Sequence, residues 1–275
     1  MKKVIVHSGE AHRDEFLSLG LAVHAGLITE TTPIERRDPT DAELDDPDVL
    51  VLDVGGRLDV WRSNYDHHQL ARGTEECTLS LLGQSMSVRG QTYTYHELLA
   101  DQLWYRATIV LDSLGPFELA KRAGLKKLPA ETWSPVESAM LSMFEQDPQL
   151  GLQVAAGVVT QLVGAAIKAK QQVEEICRVA EDHDVEGLQV VRIPLKDAEF
   201  FEDYLRLRNQ NPAVLVFNDN RGQGFCLYRR NDHPKVDFSR IETNPAVTFA
   251  HKGGFIAKTQ SLLDDWKSLV AAAIV

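Results

Sequence analysis

The sequence predicts an α/β protein of two domains, and three features carry that expectation. Val49-Leu50-Val51-Leu52 is an unbroken apolar run of the kind that forms a strand buried on both faces of a parallel sheet. Residues 151–182 keep an apolar four-residue step, Val154, Val158 and Leu162 alongside Val159, Val163 and Ile167, which marks one long helix. Beyond it, strand-like runs at 188–193, 213–217 and 224–229 surround a helix near 197–208. The polar Glu181-Asp182-His183-Asp184 and Gly187 mark the boundary, so the expected domains are 1–182 and a smaller 188–275.

Taken in order, Lys3 to His7 is a short buried strand, and His12 to about Ala25 is a helix with Phe16, Leu19, Leu21 and Val23 apolar. A strand at Pro33 to Arg37 precedes the acidic segment Asp38 to Asp48, and Asp53 falls at the C-terminal end of the Val49–Leu52 strand. Ligands of open α/β sheets gather beyond the carboxyl ends of strands, so His7 and Asp53 are expected on the same edge. Helices are expected near 96–111, 116–123 and 134–145, with Asp112-Ser113 or Ser134-Pro135 as helix starts. A strand at Val247-Thr248-Phe249 and a last helix from Thr259 to Ala273 complete the chain.

Composition narrows the function classes. A formal net charge of −11 argues against tight binding to long duplex nucleic acid, whose affinity comes mostly from phosphate neutralisation, but leaves room for a nucleotide or short oligonucleotide. Cys77, Cys177 and Cys226 are odd in number and lack ligand-like spacing, which speaks against a disulfide framework and for a reducing cytoplasm. No apolar run is expected to span a bilayer, so neither membrane insertion nor secretion is expected.

Two clusters of imidazoles and carboxylates stand about sixty residues apart: His7, His12 and Asp14, then Asp53 followed by Asp66-His67-His68. These side chains suit hard divalent cations, and shared carboxylates suit a pair of them. Asp53, between the two clusters, is the candidate bridge. Asp66-His67-His68 taken alone is as readily a solvated or hydrogen-bonded set.

In this order the motifs are specific. His7-x-Gly9-x-x-His12-x-Asp14-Glu15, Arg37-Asp38-Pro39, Val51-Leu52-Asp53-Val54-Gly55-Gly56, Tyr65-Asp66-His67-His68-Gln69 and the late His251-x-x-Gly254-Phe255-Ile256 resemble the DHH phosphoesterase superfamily, and within it the MYG-type hydrolases and exonucleases. The resemblance covers most of the first seventy residues and, less closely, the last thirty. It implies a DHH-type parallel-sheet domain joined by the long helix to a C-terminal α/β domain, with the active site in a cleft. It also implies His7, His12 and Asp53 around one metal and Asp14, Asp53 and His67 around the other. His68 would face the scissile phosphate, and Asp66 would orient a neighbouring imidazole. One further acidic ligand is expected after several helices. Asp147 in Phe144-Glu145-Gln146-Asp147 is the candidate and Asp112 the fallback, although Asp112 reads more simply as a helix cap.

The cofactors expected are two divalent cations, manganese first, with magnesium, cobalt or iron compatible. His251, Lys252, Gly253, Gly254 and Lys258 are the candidate substrate contacts, the lysines for phosphate and the glycines for close backbone approach. Without the resemblance they would read as a polar turn. Arg206, Arg208, Arg229 and Arg230 read as a solvated basic face, Asp41 to Asp48 as a solvated connection, and Trp61, Trp104, Trp133 and Trp266 as core or interface residues. The expected function is a cytoplasmic phosphoesterase acting on a nucleotide or short RNA through metal-bound hydroxide, with a homo-oligomer compatible. A small-molecule phosphatase or pyrophosphatase, and a catalytically silent metal-binding module, are the alternatives.

Overall fold

The computed structural model describes residues 1–128, 135–196 and 199–275, so the expected helix start at Ser134 and the side chain of Trp133 lie outside the described residues. Contacts divide the chain into two compact units, Met1–Ile167 and Lys168–Val275.

Unit 1 is built on a five-stranded sheet in the order β2-β1-β3-β5-β4, from β1 (Lys3–Val6), β2 (Ile34–Arg36), β3 (Val49–Leu52), β4 (Leu58–Asp59) and β5 (Asn64–Tyr65). β1 pairs in parallel with both β2 and β3, and only β4 runs antiparallel to its neighbour. Val4, Ile5 and Val6 and Leu50, Val51 and Leu52 are wholly buried, as expected of central parallel strands covered on both faces. Because Val6 and Leu52 are in register, the next residues, His7 and Asp53, leave the sheet at the same edge.

Helix α1 (Arg13–His24) follows β1 directly, and the short α2 (Asp41–Leu44) lies within the acidic connection, capped by Thr40. Asp45 pairs with Arg57 and Arg62, and Asp46 with Lys2, so much of that connection is tied down by ion pairs. The helices α3 (Thr78–Ser85), α4 (Tyr95–Leu99), α5 (Leu103–Leu114), α6 (Pro116–Arg122), α7 (Pro135–Gln146) and α8 (Pro148–Val179) follow. Asp112 sits inside α5 and starts no helix. The break falls at Gly115, with φ of +84°, and Pro116 opens α6 as a residue with fixed φ and no N–H can.

α8 begins in unit 1 and continues past residue 167. By length and apolar composition it is the one described helix that could cross a bilayer, contrary to the sequence expectation. Its Leu152, Ala155, Val159, Val163 and Ala166 are buried in the core of unit 1.

Unit 2 is a six-stranded sheet ordered β10-β11-β9-β8-β7-β6, from β6 (Glu181–Val185), β7 (Leu188–Ile193), β8 (Val214–Asn218), β9 (Phe225–Arg229), β10 (Val247–Ala250) and β11 (Ile256–Thr259). Only β7 and β8 pair in parallel. Residues Glu181 to Asp184, expected as a linker, form the edge strand β6, where polar side chains meet water without cost and guard an open edge. Alternation splits the sheet into two faces. Val190, Val214, Val216, Leu227 and Ala257 pack with Trp266, Leu269 and Val270 of α10 (Trp266–Ala272). Val191, Ile193 and Leu215 pack with Tyr204 and Leu205 of α9 (Phe201–Leu207) and with Ile176. The last helix starts at Trp266, not Thr259: Thr259 still pairs with Val247, and the Asp265 carboxylate caps the helix by accepting from the Ser268 N–H.

Candidate metal centre

The parallel edge delivers the ligands. Asp53 turns out of β3 with φ of +60°, a left-handed conformation that aspartate tolerates better than most residues, and lies 1% exposed. Its Oδ1 stands 3.2 Å from His67 Nε2 and 3.8 Å from His68 Nδ1, and its Oδ2 stands 3.6 Å from His12 Nδ1. Asp53 thus lies beside imidazoles of both motifs. The Thr78 hydroxyl, at the start of α3, lies 3.2 Å from Asp53 Oδ1 and 3.1 Å from the Tyr65 carbonyl.

Two groups of ligating atoms gather within 4.8 Å of one another: Asp53 with His67 and His68, and His12 with Asp14 and Asp112. His67 joins the groups, its Nε2 lying 2.9 Å from Asp112 Oδ2. His7 stacks on His12 with ring centroids 5.1 Å apart. Asp66 accepts from His68 Nδ1 at 2.7 Å while its other oxygen accepts from the Gly56 N–H at 2.6 Å. The His68 side chain is 55% exposed, the most open of the set.

Of the two candidates for the further acidic ligand, Asp112 and not Asp147 gathers with the other donor atoms. Asp147 is exposed and its Oδ1 accepts from the N–H groups of Gln149 and Leu150, capping the first turn of α8. Asp112 instead projects from α5 into the ligand group. Position in a helix separates the two: Asp147 precedes a free helix end with unpaired N–H groups, whereas Asp112 lies in the last turn of α5, where the N–H groups are already paired within the helix and leave its side chain available.

The electrostatics fit a cation. Burial, then Asp53 and Asp112, push the Asp14 carboxyl well above its ordinary range, and neither of its buried oxygens has a hydrogen-bond partner among the described residues. His7 Nδ1 is likewise buried without a hydrogen-bond partner among the described residues, and Asp53 Oδ2 and Asp112 Oδ2 are buried with only the imidazoles of His12 and His67 beside them. Burial opposes the charged form of His67, but hydrogen bonds to Asp112 and Asp53 outweigh it and push its pKa up to about 10. Three converging carboxylates with unspent oxygens among imidazoles are the donor set of a divalent cation with mixed oxygen and nitrogen ligands.

Further side chains hold the loop that carries His12. Glu145 on α7 accepts from the Ala11 N–H at 2.7 Å, Glu15 accepts from the His12 N–H at 3.0 Å, and Arg36 bonds both Glu15 and the Gly9 carbonyl. Neither Glu145, Arg36 nor Thr78 stood out in the sequence, because each acts through a partner far along the chain. A cavity of about 630 Å³ opens beside His12, Asp14 and Asp112, walled by Ser138, Leu141 and Ser142 of α7.

The other expected contacts lie in unit 2. His251 to Gly254 form the turn between β10 and β11, where the Gly254 N–H donates to the His251 carbonyl. Gly254 has φ of +68°, and a Cβ there would come within 2.0 Å of Asp237, so glycine is required. His251 lies against Phe255 with centroids 4.2 Å apart, and His251, Lys252 and Gly253 are exposed. Lys258 stands apart from the turn, on the sheet, paired with Asp219 at 2.5 Å. Arg230 pairs with Glu202, and Arg229 bonds the carbonyls of Val236 and Gly253. Trp61, expected as a core or interface residue, is 92% exposed.

Residues 3–96 match the model of the MYG1_exonuc family, described as "Uncharacterised protein family (UPF0160)". No curated protein matches significantly. Among solved structures, RecJ in complex with Mn2+ from Thermus thermophilus aligns at 12% identity over 98% of this chain and 52% of its own, with a TM-score of 0.28. A putative family II inorganic pyrophosphatase from Methanococcus jannaschii aligns at 14% identity over 99% of both chains, with a TM-score of 0.25. The chain therefore spans about half the length of that RecJ.

Proposed function

We propose that this chain, a DHH/MYG-type metal-dependent hydrolase by the match of its residues 3–96 and the donor set they carry, cleaves phosphodiesters of a nucleotide or short RNA in the cytoplasm. The observation that carries the metal dependence is Asp14: a carboxylate 1% exposed, with both oxygens unpartnered among the described residues, facing two further carboxylates. Bound divalent cations, two of them with manganese favoured, would acidify a water and neutralise phosphate oxygens. Asp53, His12, Asp14, Asp112, His67 and His7 are the residues to hold them.

The protein's own part is positioning. Asp66 takes the hydrogen bond of His68 Nδ1, which fixes the ring and leaves Nε2, on the exposed side chain, to face a substrate phosphate. Thr78 holds Asp53, and Glu15 and Glu145 hold the backbone on either side of His12. The cavity walled by α7 gives a phosphoester room beside this set.

The deciding experiment is Mn2+-dependent hydrolysis of a matched series from a mononucleotide ester to a short RNA, with Asp53→Asn as control. Activity rising with length and lost in Asp53→Asn is expected. Activity confined to the smallest ester would make the enzyme a small-molecule phosphatase.

A further inference from the structure

We propose that Arg37-Asp38-Pro39 and α2 brace the Asp53–Gly56 turn and, through it, orient His68, which makes Pro39 and Leu44 positioning residues for the imidazole that faces the phosphate. The inference rests on the phosphoesterase reading of His68 and adds residues that lie outside the donor set.

The His68 side chain is 55% exposed, so packing does not fix its ring. Its partner is the buried Asp66, whose Oδ1 accepts from the His68 backbone N–H at 2.9 Å and from Nδ1 at 2.7 Å. Asp66 Oδ2 accepts from the Gly56 N–H at 2.6 Å, so the carboxylate is aimed by the turn that carries this donor. That turn cannot hold itself: Gly55 and Gly56 have φ of +95° and +65°, and two glycines in succession carry the largest freedom a backbone has. Gly56 is exposed, and a Cβ there would meet nothing within 4 Å. The restraint enters one residue earlier. A Cβ on Gly55 would fall 2.9 Å from Leu44 Cδ2 and 3.0 Å from Pro39 Cγ, so the backbone is seated against both side chains. Val54 is buried with Ile5, Val49 and Val51, and Leu44 packs against this group.

Pro39 and Leu44 are held in their turn. The Arg37 guanidinium donates to the Asp38 carbonyl at 2.8 Å, which fixes the peptide that enters Pro39, and it joins Glu35 of β2 to Glu43 of α2 at 2.7 and 2.6 Å. Lys3 of β1 reaches the same two carboxylates at 3.1 and 2.5 Å. Two cations and two carboxylates shared among two strands and a helix form a network, the arrangement in which surface ion pairs do restrain a structure. Glu43 also closes the capping box of α2 with Thr40, and the Leu44 carbonyl accepts from Nδ2 of the buried Asn64 at 2.8 Å. The segment that sequence alone assigns to a solvated connection thus carries the contact with the turn. Asp53, at the start of that turn, has anchors of its own: its N–H donates to the Tyr65 carbonyl at 3.1 Å, and the Thr78 hydroxyl reaches its Oδ1. Metal affinity and the orientation of His68 therefore have separate supports.

Pro39 and Leu44 are only partly buried, so Pro39→Ala and Leu44→Ala should fold. Amide hydrogen exchange of the full chain in EDTA is read residue by residue by NMR. Both variants are expected to speed exchange at Gly56 and His68 by at least about tenfold while Val4 and Val6 of β1 keep their wild-type rates, the sign of local opening. Leu44→Met, close to leucine in volume, should restore the protection. With Mn2+ and a substrate that the wild-type chain turns over, kcat of the two alanine variants should fall by roughly ten- to a hundredfold, the effect of a misplaced catalytic group, with Mn2+ affinity unchanged by calorimetry. Wild-type exchange at Gly56 and His68 in both alanine variants overturns the proposal. Acceleration shared equally by Val4 and Val6 also overturns it, because the contact would then be plain core packing. So does a loss of Mn2+ affinity that parallels the loss of kcat, because the brace would then serve Asp53. Local acceleration as expected in a chain without any Mn2+-dependent turnover leaves the brace standing and removes the hydrolase reading, so the two failures are told apart.

Discussion

Asp112 and Asp147 both lie in helical sequence after the last clear motif, and nothing in their neighbours tells a ligand from a cap. The difference is spatial: Asp147 meets the free N–H groups of α8, and Asp112 meets His67. Asp112→Asn is expected to lower Mn2+ affinity by more than the roughly 10–100-fold typical of losing an outer partner, as read by titration calorimetry. Asp147→Ala should leave that affinity intact and cost about 1 kcal/mol in urea unfolding, the worth of an N-cap. Unchanged Mn2+ affinity in Asp112→Asn would remove Asp112 from the centre. Thr78→Val should fall between them, with Mn2+ affinity down roughly tenfold or more and the helix still formed, because only the hydroxyl that orients Asp53 is gone. The cysteines separate by thiolate access. Burial pushes the Cys226 thiol up to about 11 and the Cys77 thiol well above its ordinary value, and since the thiolate is the nucleophile, each must wait for a higher pH. Alkylation rates should follow Cys177, then Cys226, then Cys77, and rapid modification of Cys77 at neutral pH in the folded chain would contradict its burial.

Elements were legible wherever one period ruled a segment. β1, β3 and α8 came through because their apolar residues are continuous or stepped by four, and α1 because Phe16, Leu19, Leu21 and Val23 cluster within a few turns. β6 was hidden, since an edge strand needs no apolar residue on its solvent face, and Glu181-Asp182-His183-Asp184 resembles a linker until Leu188 to Arg192 pair with it. Helix α3 carried no sequence expectation, although it brings Thr78 to the metal centre. Packing between elements left one sign that is clear only in three dimensions. A Cβ on Gly20 of α1 would come within 2.3 Å of the Ala155 carbonyl oxygen on α8 and 2.6 Å of Val159, so the glycine permits the close approach of the two helices. In an isolated helix Gly20→Ala would be favourable, but here the neighbour is backbone and cannot move aside. The expected outcome is destabilisation of about 1–3 kcal/mol in chemical denaturation. A stabilised variant would mean that α1 and α8 do not touch at this point.

Over the whole chain, the early motifs are readable because a short loop after each of two adjacent parallel strands must place its residues at one edge. The late ones are not, because a turn such as His251 to Gly254 has the same residues whether it binds a ligand or only closes a hairpin. Stability tests the metal centre without any substrate. A folded domain rests on a margin of only about 5–15 kcal/mol, so a buried carboxylate without a cation is a measurable burden. Asp14 carries that burden, pressed by burial and by Asp53 and Asp112. Asp14→Asn removes a negative charge from this crowd at little change in volume. In EDTA the variant should therefore melt above the wild-type chain, by an amount on the order of 1–3 kcal/mol for relief of an unsatisfied buried group. Adding Mn2+ should reverse the order, because a ligand that binds only the folded state stabilises it by about 2.7 kcal/mol at a hundred times its Kd, and the variant lacks the carboxylate that binds it. Calorimetry with and without the metal reads both effects. A variant that melts lower in EDTA and still gains from Mn2+ would show that Asp14 is a structural acid outside the metal centre.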